Sequence, residues 1–231
     1  MQINGFQKMT LLDFPGKVAC TVFTGHCNMR CPFCHNALLV NEAASLEVIP
    51  EETILSYLKK RQGILDGVAI TGGEPLLWPK TRDFIEKVRA LGFLVKLDTN
   101  GTKPAFLKQL VQDGLLDYVA VDIKNSKEKY AETSGVPGMD LSPVEETVDF
   151  LLSGKVPYEF RTTVVSEFHE VSDFVKIGEW IRGAERYFLQ GFVSHEELVG
   201  NLPCHAVSKE GMEEMLQAVR PYVKEAAIRG L

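Results

Sequence analysis

The feature that most limits what this chain can fold into is a strict alternation of short apolar runs with amphipathic helical segments. Strands are predicted over about residues 18–23, 67–71, 93–98, 117–123, 158–165 and 186–190. Helices are predicted over about 51–61, 79–91, 104–112, from 142 onward, and over about 174–181 and 208–223. The first helix gathers Ile54, Leu55 and Leu58 on one face, and the second should stop at Gly92. Ser142-Pro143-Val144-Glu145 spells an N-cap, a first-turn proline and a capping-box glutamate. Six strand–helix units in sequence imply an α/β fold with a parallel sheet covered by helices. Six are too few for a closed eight-stranded barrel, so a curved (β/α)6 partial TIM barrel and a doubly wound sheet both fit. Either architecture collects its active site at the carboxyl ends of the strands. No repeat or linker divides the chain, and its 231 residues are expected to form a single domain over 1–231.

Charge narrows the function classes. The 25 basic against 31 acidic residues give a net charge of −6, a poor footprint for a nucleic-acid binder, which needs clustered Lys and Arg. The tight run Lys59-Lys60-Arg61 closes a predicted helix, where cations complement the dipole. No stretch approaches the roughly 20 apolar residues that span a bilayer. Asn4, Gln7, Lys8, Asp13 and Lys17 interrupt any signal-peptide core, so no membrane partner and a cytoplasmic address are expected. In that reducing setting five cysteines do not read as a disulfide framework.

Three of those cysteines fall in the run Cys27-Asn28-Met29-Arg30-Cys31-Pro32-Phe33-Cys34, directly after the first predicted strand. Three soft thiolates this close can converge on one soft metal centre. A structural zinc site remains open, with His26, His35 or Cys20 as fourth ligand. Cys31-Pro32-Phe33-Cys34-His35 also matches the haem attachment pattern, though that chemistry is normally matured outside the cytosol. Burial as inert thiols suits Cys20 and Cys204 but not the cluster, which Pro32 keeps out of any helix. An iron–sulfur cluster held by three cysteines leaves one iron open to a further ligand.

Other polar groups stand at or near the ends of different predicted strands. Gly72-Gly73-Glu74-Pro75 follows the second; it could be an ordinary turn, or a close backbone approach beside a carboxylate that accepts from an ammonium group. Asp98-Thr99-Asn100-Gly101 ends the third; Asn-Gly favours a turn, whereas Asp98 can accept from ribose hydroxyls. Asp122-Ile123-Lys124 ends the fourth, where Lys124 reads equally as a surface salt bridge or a ligand. Arg161 lies within the fifth strand and needs a carboxylate or a bound anion if buried, and Gln190 closes the sixth.

The cysteine spacing, with Phe33 before the third cysteine, resembles the radical S-adenosylmethionine (SAM) enzyme family, and Gly72-Gly73-Glu74 resembles that family's glycine-glycine-glutamate motif. Within it the chain is similar to the activating enzymes of glycyl-radical enzymes, most of all to those of anaerobic ribonucleoside-triphosphate reductase. Gly5-Phe6, Leu11-Leu12-Asp13-Phe14-Pro15-Gly16-Lys17, Cys34-His35-Asn36, Asp98-Thr99-Asn100-Gly101 and Asp122-Ile123-Lys124 carry that likeness. It runs from about residue 3 to about 192 and is more specific before about residue 125. His26 departs from it, since a glycine commonly precedes the first cysteine, and no second cysteine cluster is present.

The resemblance implies a radical SAM-type (β/α)6 partial barrel with a [4Fe–4S] cluster on Cys27, Cys31 and Cys34 and S-adenosyl-L-methionine as second cofactor. It implies the methionine amine at Gly72, Gly73 and Glu74, the ribose at Asp98, and further cofactor contacts from Phe33, Asn36, Asn100, Asp122, Lys124 and Gln190. Arg161 would serve catalysis beside developing charge. The implied partners are a glycyl-radical enzyme and a low-potential electron donor such as flavodoxin or ferredoxin. Activation of pyruvate formate-lyase or another glycyl-radical enzyme, or radical chemistry on a small molecule, stays open. So does a non-catalytic iron–sulfur or zinc carrier, although a carrier has no need of amine and ribose sites. The acidic segment from His195 to Cys204 has no assigned role.

Overall fold

The computed structural model describes residues 1–193, 198–200 and 203–230. Eight strands form one sheet in the order of the chain: β1 Ile3–Thr10, β2 Ala19–Thr24, β3 Gly67–Gly72, β4 Leu94–Thr99, β5 Tyr118–Asp122, β6 Tyr158–Val164, β7 Arg186–Gly191 and β8 Glu225–Arg229. β1 runs antiparallel to β2, and every later neighbour is parallel. The six predicted strands are β2 to β7, and β1 and β8 extend them at the two edges without pairing to each other. The barrel is therefore partial.

The helices are α1 Ala37–Asn41, α2 Glu51–Lys59, α3 Thr81–Ala90, α4 Pro104–Gln112, α5 Tyr130–Thr133, α6 Ser142–Leu152, α7 Val171–Trp180 and α8 Lys209–Val219. Their apolar faces cover the sheet: Ile54 and Leu58 of α2, Phe84, Ile85 and Val88 of α3, and Leu107 and Leu110 of α4 are all fully buried. Each such side chain contributes about 1.5–3 kcal/mol of transfer free energy. Gly92 ends α3 as expected, with φ +87° just past the last turn. No helix among the described residues is long and apolar enough to cross a membrane.

Three sequence expectations need correction. The helix expected to reach residue 223 ends at Val219, because Pro221 follows in a short 3-10 turn and the chain then enters β8. The capping box expected at Ser142 and Glu145 does not form; the Ser142 N–H donates to Asp140 Oδ1 at 3.0 Å instead. A capping box does form at α7, between Glu170 and Asp173. Finally, the stretch between β5 and α6, to which the sequence assigns no element, contains α5.

Candidate active site

The period of two along a strand decides which side chains enter the barrel. Lys96 and Asp98 share the inner face of β4, Asp122 ends β5, Glu159 and Arg161 share the inner face of β6, and Gln190 lies on β7. In register Asp122 stands beside Arg161. Arg161 Nη1 donates to Asp98 Oδ2 at 3.1 Å and Nε donates to Asp122 Oδ1 at 3.0 Å. Lys124 Nζ donates to the other oxygen of Asp122 at 3.1 Å, and Lys96 Nζ bonds Asp98 Oδ1. Lys124 is thus a part-buried partner within the site. Burial works against the charges of Asp122, Lys124 and Arg161, but mutual attraction wins. Asp122 sits well below the carboxylate range, and Lys124 and Arg161 stay firmly protonated.

Three cations (Lys96, Lys124, Arg161) face two carboxylates (Asp98, Asp122) in this network, a surplus of one positive charge. The thiols lie in that field. Burial pushes Cys31 up to about 12 and raises Cys27 and Cys34, while Lys124 pulls all three down. A bound cationic metal centre would remove the penalty by taking the thiolates as ligands.

One cavity of about 210 Å³ at the strand tips holds most of the predicted residues together. Cys27, Cys31, Cys34, Asn36, Gly72 and Gly73 line one side. Asp98, Asn100, Asp122, Lys124, Arg161 and Gln190 line the rest. Glu74 and Phe33 lie behind the wall. Glu74 is fully buried, and its carboxylate accepts from Leu76 N–H (3.0 Å), Thr99 Oγ1 (2.8 Å) and Asn100 N–H (2.7 Å). Burial outweighs those hydrogen bonds and pushes Glu74 up to about 7. Phe33 packs on Phe168 and His169, with ring centroids 5.7 and 6.3 Å apart. His169 in turn contacts the Lys124 carbonyl at 2.8 Å.

His26 fills the place of the expected glycine by adopting the same conformation. It is the one non-glycine residue with positive φ (+63°) among the described residues, and it packs on Trp78. Sequence reasoning missed Lys96, although its position two before Asp98 on one strand places both on the same face. It also missed Asn28, which links the cysteine loop to β4's end: Asn100 Nδ2 donates to Asn28 Oδ1 at 2.8 Å, and Asn28 Nδ2 donates to Thr102 Oγ1 at 2.9 Å. Cys20 is buried in the core, and Cys204 is buried outside the cavity. Of the His195 to Cys204 segment, residues 195–197 and 201–202 lie outside the described residues.

Residues 21–181 match the sequence profile of the radical SAM superfamily. A Methanocaldococcus jannaschii protein named as a glycyl-radical enzyme activating enzyme is 28% identical over 239 residues, covering 98% of this chain and 95% of its own length. The pyruvate formate-lyase 1-activating enzyme of Escherichia coli is 28% identical over 243 residues, covering 99% and 92%. Among solved structures, a radical SAM methyltransferase from Sphaerobacter thermophilus superposes with a TM-score of 0.72 at 13% identity, over 96% of this chain and 68% of that one. A domain of a pyruvate-formate lyase-activating enzyme from Bacteroides vulgatus gives 0.57 at 19% identity, over 71% of this chain and 99% of that one.

Proposed function

The chain belongs to the radical SAM superfamily, and from that premise we propose that it generates a glycyl radical on a partner enzyme. The observation that carries the reading is the single cavity that collects three thiols and a surplus of positive charge at the strand tips. The near end-to-end likeness to two activating enzymes supports the same class.

Cys27, Cys31 and Cys34 would hold a [4Fe–4S] cluster. The donor chemistry fits: three soft thiols line a common cavity. A cluster held there would supply the one electron that cleaves S-adenosyl-L-methionine to methionine and a 5′-deoxyadenosyl radical, which would take hydrogen from a glycine Cα. The backbone of Gly72 and Gly73 would meet the methionine amine, with Glu74 bracing that edge from behind. Asp98 would accept from the ribose. Lys124 and Arg161 would bind carboxylate or developing negative charge, and Asn36, Asn100, Asp122 and Gln190 complete the polar wall. Phe33 would fix the loop by packing beneath it.

The partner best supported by the motifs is an anaerobic ribonucleoside-triphosphate reductase, with flavodoxin or ferredoxin as electron source. Activation of pyruvate formate-lyase is the second reading, favoured by the Escherichia coli relative. The test mixes reduced protein, S-adenosyl-L-methionine and each candidate partner without oxygen. A glycyl doublet in electron paramagnetic resonance on the reductase, formed in step with 5′-deoxyadenosine, is expected. A doublet on pyruvate formate-lyase alone would reassign the partner. Cofactor cleavage with no radical on either would point to a small-molecule substrate.

A further inference from the structure

Residues 25–36 carry the three cysteines and form neither helix nor strand, so something outside the loop must hold it. Glycines from three distant parts of the chain do so at three of its residues. The His26 carbonyl accepts from Glu74 N–H at 2.7 Å, and a Cβ on Gly73 would lie 1.9 Å from that oxygen. Arg30 N–H donates to the Ser134 carbonyl at 2.9 Å, and a Cβ on Gly135 would lie 2.1 Å from the Arg30 oxygen. Gly200 N–H donates to the Pro32 carbonyl at 3.0 Å, and a Cβ there would lie 2.8 Å from Pro32 Cα. Gly73 belongs to a motif already discussed; Gly135 and Gly200 belong to none.

We propose that Gly135 and Gly200 are positioning residues of the iron–sulfur site, clamping Arg30 and Pro32 and thereby fixing Cys31 between them. The inference rests on the assignment of Cys27, Cys31 and Cys34 as cluster ligands. The shelf beneath Arg30 has little room to retreat. Ser134 is buried and its N–H donates to the Tyr130 carbonyl at 2.8 Å. Asn125 Nδ2 ties the shelf to Thr133 Oγ1 (3.0 Å) and to the Phe168 carbonyl (2.8 Å). A methyl group at Gly135 therefore displaces the cysteine loop rather than its support. Cys31 moves with it, and through the Cys34 N–H bond to the Cys31 carbonyl (3.0 Å) so does the third thiol.

Two observations separate this role from ordinary strain. Gly135 has φ +68° and Gly114 has φ +67°, but Gly114 has nothing within 4 Å of its would-be Cβ. Gly114→Ala thus reproduces the backbone cost without the contact. Gly200 carries no left-handed φ, so Gly200→Ala tests contact without that cost.

The experiment reconstitutes the full chain and the three variants anaerobically. It measures iron per chain, the rate of iron loss to bathophenanthroline, and the paramagnetic resonance line shape of the reduced cluster. Gly135→Ala and Gly200→Ala should lose iron roughly tenfold faster than the parent, as for other groups that orient metal ligands, with altered line shape. Gly114→Ala should stay within about twofold, even if it melts lower. Iron loss and line shape at parental values in both Gly135→Ala and Gly200→Ala would overturn the proposal. If Gly135→Ala does not fold, Gly200→Ala decides alone. A parent that takes up no iron would instead overturn the cluster assignment, and this inference with it.

Discussion

The two ends of the barrel both bury charge, and they do so to different effect. At the floor, Glu159 is 1% exposed and accepts from Arg229 Nη1 and Nη2, at 2.9 and 3.0 Å, and from the Tyr118 hydroxyl at 3.0 Å. Arg229 also lies over the Phe188 ring at 3.3 Å, and Phe14 seals this end against Ala19 and Tyr118. Two cations, Arg229 and Arg186, answer two carboxylates, Glu159 and Glu225. At the tip, three cations answer two carboxylates beside three thiols and an open cavity. The floor is a closed account of charge that holds β8 to the sheet. The tip is left with one surplus positive charge facing the cavity.

Breaking the tip at its thiols should have the largest effect. Cys27→Ala, Cys31→Ala or Cys34→Ala should abolish stable uptake of about four irons on anaerobic reconstitution. Cys20→Ala should retain it, because Cys20 is a core residue. One equivalent of zinc with no iron uptake by the parent would reverse the assignment.

Breaking the floor should cost stability and leave binding alone. Arg229→Ala strands a buried Glu159, a loss of about 2–3 kcal/mol, below the usual value for a buried pair because Arg229 is itself 37% exposed. Urea unfolding measures this, and iron uptake should not change. A variant that unfolds like the parent but loses iron would erase the distinction between the two ends.

The third prediction sharpens the comparison through pH. Glu74's folded value of about 7 lies above its unfolded 4.5. Its contribution to stability is therefore complete below about pH 4.5 and is lost as pH rises through about 7. The loss is on the order of 3 kcal/mol at most. Glu74→Gln should lack that slope, so the stability difference between parent and variant should change from pH 5 to 8 when followed by urea unfolding of the metal-free protein. Parallel curves would mean that Glu74 titrates normally.

The smallest expected effect concerns the cofactor wall. Asp98→Ala, which faces the cavity, should weaken S-adenosyl-L-methionine binding by about 1–3 kcal/mol. Glu74→Ala should act in the same direction through Asn100 and Thr99. Calorimetry on reconstituted protein decides, and unchanged affinity in both would move the cofactor elsewhere.

The six inner strands and the motifs at their ends were legible because both are local. Period-two alternation reports which side chains share a face, and strand-end motifs lie within a few residues of one another. β1 was not legible because Asn4, Gln7 and Lys8 break its apolar pattern, and β8 was not because Glu225-Ala226-Ala227 reads as more helix. The sequence by itself determined that three thiols, a Gly-Gly-Glu turn and charged strand tips belong to one α/β chain. Only the tertiary structure decided that Glu74 stands behind the cavity wall, that Arg161 bridges Asp98 and Asp122, and that Gly135 and Gly200 press on the cysteine loop. Those facts depend on contacts between residues tens to more than a hundred positions apart. Burial and Coulomb energy are set by such neighbours in space, which no local pattern encodes.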